Sequence, residues 1–301
     1  MIPLYLITGF LGSGKTTLLL ALAKKAKEEG RKYLFLVNEF SGKDVDGRRL
    51  KGLGGEAVVI PGGSIFCTCL VHEFILQLSE IPLKFGENSL DGVVVEASGM
   101  ANPSAVDRML RESQLDKTFE VARIISMADP HTLGKVTATL KAAREQLSAS
   151  DLILLSKVDT VDMRTLAHTQ AIIRKHNTHA SILECENGKV RGEVLQAIVR
   201  KKLDGELMEC VDPAFVSHTM AVEPGTSVRE LEDFFLEYGP FVHRAKGCVE
   251  TNKGWIEFDA VGSRCDNRVG QKMNDSQLVV ITSAKAPKPE LWIHRFDGAH
   301  Q

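Results

Sequence analysis

Gly9-Phe10-Leu11-Gly12-Ser13-Gly14-Lys15-Thr16 fits the pattern G-x-x-x-x-G-K-[ST] without a gap. The apolar run Leu4-Tyr5-Leu6-Ile7 precedes it, and the helical pattern Thr17-Leu18-Leu19-Leu20-Ala21-Leu22-Ala23 follows. A strand, a glycine-rich loop and a helix in that order are what a polyphosphate-binding loop requires. Glycines let the backbone wrap close to the anion, and amide N–H groups at the helix start face it. In that role Lys15 reaches the β- and γ-phosphates and the Thr16 hydroxyl binds Mg²⁺, while Gly9, Gly12, Ser13, Gly14 and Thr17 complete the cradle. The alternative, a glycine-rich turn that matches only by pattern, is weakened by the flanking strand and helix.

A chain of 301 residues has room for about two domains. Its net charge of −2 gives no electrostatic reason to expect nucleic acid or an anionic membrane as partner. No apolar run approaches the roughly 18–20 residues that a membrane span needs. The apolar residues at the N-terminus belong to the motif strand, and cleavage there would destroy the motif, so a cytoplasmic protein is expected. Six cysteines in a chain of this length do not make a disulfide framework; they read as thiols, core fillers or metal ligands.

Apolar runs separated by helical patterns continue along the chain. Strands are expected at 33–37, 57–60, 93–95, 121–127, 152–155 and 180–183, and helices at 71–81, 132–148, 163–176 and 191–203. Continuous apolar strands alternating with helices imply an α/β fold, a mainly parallel sheet covered on both faces. The pattern changes after about residue 205. Strands at 215–222, 241–250, 254–261 and 277–283, with one helix at 227–238, suggest a small α+β domain. Domains of 1–205 and 212–301 follow, with the boundary between Gly205 and Pro213.

Two further segments carry chemistry. Val93-Val94-Val95-Glu96-Ala97-Ser98-Gly99 ends a buried strand in a carboxylate with glycine three residues on. Beside a phosphate loop, Glu96 would hold Mg²⁺ through water, and the Gly99 N–H would sense the γ-phosphate. Leu154-Leu155-Ser156-Lys157-Val158-Asp159 is a buried strand ending in Ser-Lys-x-Asp. Guanine-binding proteins use Asn-Lys-x-Asp here: the carboxylate accepts from N1–H and N2–H₂ of guanine, and the Lys stem packs on the base. Asp159 and Lys157 fit, whereas Ser156 departs and cannot span as an amide does. A simple cap of the strand-to-helix turn by Ser156 and Asp159 is the competing reading.

Together these motifs resemble the CobW-like P-loop GTPases, relatives of HypB and UreG, over nearly the whole chain. Thr8 to Leu18 is similar to the family phosphate loop. Val37-Asn38-Glu39-Phe40 resembles its Asn-Glu-Phe-Gly switch, with Asp46 at the trailing aspartate. Glu96 to Pro103 resembles Glu-Ser-x-Gly-x-Ala-x-Pro, and His243-Arg244-Ala245-Lys246-Gly247 its C-terminal Arg-x-Lys-Gly strand. The resemblance implies GTP hydrolysis coupled to metal delivery or metallocofactor assembly for a client metalloprotein or cofactor enzyme, and leaves a nucleotide-dependent homodimer open. Catalysis would fall to Lys15, Glu96 and Asp46, with Thr16, Asp46 and Glu96 placing Mg²⁺.

The main departure concerns the transition metal. Where the family has Gly-Cys-x-Cys-Cys, this chain has Gly63-Ser64-Ile65-Phe66-Cys67, then Thr68 and Cys69. Ser64 and Phe66 do not replace soft ligands. Cys67, Cys69 and His72 could still supply three ligands for Zn²⁺ or Co²⁺ if a turn separates the thiols from the helix. Two buried thiols and a surface histidine is the equal alternative. Glu39 is a further candidate ligand, though more simply a switch residue. The missing thiolates leave room for an activator of corrinoid enzymes. A P-loop small-molecule kinase and a nucleotide-switched binding module with incidental hydrolysis remain as rivals. Cys185, Cys210, Cys248 and Cys265 are scattered and read as small core residues or surface thiols.

Overall fold

A computed structural model describes residues 1–39, 50, 56–61, 65–66, 71–86, 89–207, 215–270, 272–273, 275–283, 292 and 295–296. The chain divides into two compact units, Met1–Cys210 and Val211–Gln301.

The first unit is built on β1 (Ile2–Gly9), α1 (Lys15–Glu28), β2 (Tyr33–Glu39), β3 (Glu56–Pro61), α2 (Val71–Phe85) and β4 (Gly92–Glu96). It continues through α3 (Val106–Glu112), β5 (Phe119–Ala128), α4 (Leu133–Thr139), α5 (Lys141–Ala149), β6 (Leu152–Ser156), α6 (Met163–His176), β7 (Ser181–Glu186) and β8 (Lys189–Val190). The sheet order is β3-β2-β4-β1-β5-β6-β7-β8, parallel except where β8 returns along β7. Side chains on a strand alternate between faces, so β1 feeds two cores. Leu4 and Leu6 pack on one side with Phe74, Leu78 and Met109. Tyr5 and Ile7 pack on the other with Leu18, Leu19 and Leu22 of α1. Burial on both faces is why the strands read as unbroken apolar runs.

The second unit is a five-stranded antiparallel sheet, formed by β9 (Phe215–Ala221), β10 (Val242–Thr251), β11 (Gly254–Val261), β12 (Arg264–Val269) and β13 (Gln277–Ser283). Its order is β12-β11-β10-β13-β9. Helix α7 (Val228–Tyr238) starts at a capping box, in which Ser227 and Glu230 satisfy each other's backbone N–H groups. It lays Leu231, Phe234 and Phe235 on the sheet beside Phe258, Val280 and Trp292.

Several elements differ from the sequence expectation. The helix expected over 191–203 does not form; the segment has no regular secondary structure, and Val194 and Leu195 are buried in the core beside α1. Tertiary packing overrides its local helical spacing. The single helix expected over 132–148 is two helices, because Leu140 leaves helical geometry at φ −113°, ψ 124°. Helix α3 and strands β8 and β12 carry too little periodic signal to stand out: β12 has no buried residue, and β8 is two residues long.

Candidate functional site: a glycine-rich loop and the strand ends around it

The site lies where β1 turns into α1. Register pairs Gly9 with Met127 of β5. A Cβ on Gly9 would stand 2.5 Å from the Met127 carbonyl oxygen, and its φ of +132° disfavours any side chain. Gly14 is the N-cap of α1, and no side chain caps that helix, so its first amides are left for an outside anion. Lys15 is 5% exposed and folds back over the loop, donating from Nζ to the Gly9 carbonyl at 2.7 Å and the Phe10 carbonyl at 3.3 Å. Ser13 closes the turn through its N–H to the Phe10 carbonyl at 3.2 Å. Thr17 lies on the exposed side of α1.

Strand β4 brings the carboxylate. Ile7 pairs with Glu96, so Glu96 lies buried beside the loop, and Thr16 Oγ1 donates to Glu96 Oε1 at 3.5 Å. Beyond it, Gly99 presses against the loop so closely that a Cβ would meet Leu11 Cδ2 at 2.4 Å and Leu11 N at 2.8 Å. Buried Thr8 Oγ1, Ser13 Oγ and Ser98 Oγ make no hydrogen bond among the described residues. Buried hydroxyls are normally satisfied, so this cluster fits an oxygen-rich ligand. A hydroxyl facing a buried carboxylate is an all-oxygen donor pair, the chemistry that suits Mg²⁺.

The rim on the far side comes from β6. Lys157 takes a left-handed backbone at φ +53° and donates from Nζ to the Gly12 carbonyl at 3.0 Å and to Asp129 Oδ2 at 2.6 Å. It thereby ties the segment after β6 to the glycine-rich loop. Asp159, one turn on, is exposed. Ser156 is buried, with Oγ turned to the Ala128 carbonyl at 3.4 Å. Asp129 was not singled out from the sequence, although it ends an apolar strand just as Glu96 does. Asp46, Cys67 and Cys69 lie outside the described residues, as do Ser64 and the Glu39 side chain.

Phe66, which stands where the family carries a cysteine, is fully buried and meets Phe74 edge to face at 5.9 Å. It is core, which accounts for the lost thiolate. His72 and Glu73 are exposed in the first turn of α2. Among the described residues, no group of three histidine, cysteine or acidic side chains is placed to hold a metal.

The family model described as "CobW/HypB/UreG, nucleotide-binding domain" matches residues 3–184. The chain belongs to this family. Its relatives include the protein named zinc chaperone YeiR of Escherichia coli K12, 29% identical over 235 residues, covering 76% of this chain and 67% of that protein. A protein named zinc chaperone CobW of Sinorhizobium sp is 28% identical, covering 93% of this chain and 92% of that protein. Among solved structures, the Zn(II)-bound YjiA GTPase from E. coli is similar at 18% identity and a TM-score of 0.48, over 100% of this chain and 99% of that one.

Proposed function

We propose that this chain binds Mg²⁺-GTP, hydrolyses it by in-line attack of water on the γ-phosphate, and uses the cycle to deliver zinc or a similar ion to a client metalloprotein. The observation that carries the nucleotide half is the convergence of Lys15, Thr16 and Glu96 on one glycine-rich turn, with Lys157 bonded to the same loop at Gly12. In that reading the loop amides and Lys15 hold the β- and γ-phosphates, and Asp46 joins the switch. Thr16, Glu96 and Asp46 would hold Mg²⁺, which supplies charge neutralisation at the transferring phosphoryl group. Turnover without a partner is expected to be slow, since the sequence shows no identifiable arginine finger. Measuring GTP and ATP turnover side by side, with and without Zn²⁺ or Co²⁺, tests the reading; no nucleotide turnover under any of these conditions would end it.

Guanine preference rests on Asp159. Asp159→Asn should cut the preference for GTP over ATP by about 1.5–3 kcal/mol, the worth of a charged hydrogen-bond pair. Competition titrations of both proteins check this. Equal competition by ATP in the unaltered protein would remove the guanine assignment and point to Ser156, whose hydroxyl is turned to the sheet.

The metal half draws on the relatives' names and on Asn38. Asn38 is buried, donates from Nδ2 to the Ile60 carbonyl at 3.4 Å and accepts from the Ile65 N–H at 3.3 Å. It thus spans the segment leading to Cys67 from within the switch motif, and linkage requires any coupling between nucleotide and metal to run equally both ways. Titrating Co²⁺ into reduced protein should give a thiolate charge-transfer band that Cys67→Ser and Cys69→Ser each diminish. The other thiols among the described residues contribute little, because burial pushes Cys185 and Cys248 up. Burial, with Glu232, Asp266 and Asp259 nearby, raises Cys265 to about 12. No band, with or without a non-hydrolysable GTP analogue, would mean that Cys67 and Cys69 are structural.

A further inference from the structure

Helix α5 buries a single amide beneath the loop that follows β4. Gln146 is 1% exposed, and its Nε2 donates to two carbonyls of that loop, Gly99 at 3.1 Å and Ala101 at 3.0 Å. The loop is pinned elsewhere too: the Ala97 N–H donates to Ile7 of β1 at 2.9 Å, and the Ala101 N–H to Ser98 at 3.1 Å. Its other side is the contact of Gly99 with Leu11, which leaves no room for a methyl group. Gln146 also lines a cavity of about 10 Å³ shared with Phe10, Ser13 and Asp129, too small for the amide to swing aside. Gly99 is thus held at its carbonyl by Gln146 and at its Cα by Leu11, and the two bonds from Gln146 are side-chain hydrogen bonds that a substitution can remove.

We propose that Gln146 is a positioning residue: from α5 it sets the Gly99 amide against the phosphate loop, so that this amide meets a γ-phosphate without reorganising. The proposal rests on the nucleotide reading above. A preset donor acts where charge develops and leaves binding of the α- and β-phosphates alone. Loss of Gln146 therefore separates triphosphate from diphosphate, which a general loss of stability does not.

The test uses the full chain. Gln146→Met keeps the volume and removes the donor. Affinity for GDP should stay within about twofold, while the preference for a non-hydrolysable GTP analogue over GDP and the kcat for GTP should each fall by about tenfold or more. Gln146→Asn keeps a buried amide but withdraws it by one methylene, and is read in the same way if the Met variant does not fold. If the unaltered protein prefers the triphosphate and both folded variants keep that preference and kcat, Gln146 is only a core residue and the proposal fails alone. If the unaltered protein binds neither GTP nor its analogue, the nucleotide reading fails first and takes this with it.

Discussion

Lys15→Ala is expected to lose tight GTP binding while remaining folded. In the structure the ammonium is buried and donates to the carbonyls of Gly9 and Phe10 in its own loop. A triphosphate offers it far stronger acceptors, because a bond between an ammonium and a phosphate is charge-assisted at both ends. Truncating one partner of a desolvated charge pair costs about 2–5 kcal/mol, which is about 30-fold to a few thousandfold in Kd. The fold has little stake in the side chain. The apolar face of α1 that holds the helix to the sheet is Leu18, Leu19, Leu22, Ala23 and Ala26, all of which stay in place. A titration with a fluorescent GTP analogue gives the affinity, and circular dichroism without nucleotide checks the fold. GTP affinity equal to that of the unaltered protein, in a folded variant, would remove the phosphate-loop assignment.

What the sequence shows of this site follows the distance over which its chemistry is encoded. Residues 9 to 16 are contiguous, so spacing alone reveals the loop. Glu96 and Lys157 each end an apolar strand, and a charge at the end of a buried run is visible without knowing the register. The partners that orient these groups are another matter. Asp129 follows the same strand-end rule as Glu96, yet only the parallel pairing of β5 with β6 brings it to Lys157. Gln146 sits on the buried face of α5 among Ala142, Ala143 and Leu147, and its acceptors lie 47 and 45 positions earlier in the chain. A polar residue on an apolar helix face signals a buried hydrogen bond but does not name the partner. Phe66 gives the reverse lesson. Aligned with the family motif it looks like a lost ligand, and the structure shows a ring packed in the core against Phe74.

Asp107→Ala is expected to destabilise the nucleotide-binding unit by about 3–5 kcal/mol, the cost of removing one partner from a buried ion pair. The segment from 191 to 207 is where local pattern and tertiary structure disagree most. Val194, Leu195, Ile198 and Val199 are spaced as one helical stripe, yet Val199 is fully exposed and Val194 is 4% exposed. Instead of burying a stripe, the segment is fastened at separate points: the Ile198 N–H to the Ala122 carbonyl at 3.2 Å and the Gly205 N–H to the Ser104 carbonyl at 3.0 Å. Its strongest point is Arg200, whose guanidinium bonds both oxygens of Asp107, at 2.9 and 2.8 Å, and Asp151 Oδ2 at 3.1 Å. Asp107 also accepts from the Leu203 N–H at 2.8 Å. The two side chains of the main pair are 5% and 7% exposed, so water screens neither. Without Asp107, the guanidinium keeps one carboxylate, the Leu203 amide loses its acceptor, and Arg200 Nη2, which already makes no hydrogen bond among the described residues, gains none. The urea midpoint should fall accordingly, with an unchanged slope. Arg200→Met should also destabilise, since it takes the guanidinium from the buried Asp107 and from the partly buried Asp151. The double variant Asp107→Leu with Arg200→Met should recover part of the loss, because apolar groups can replace a buried pair at little cost. A loss under about 1 kcal/mol for Asp107→Ala would mean that the segment is held by Val194 and Leu195, with the ion pair adding little.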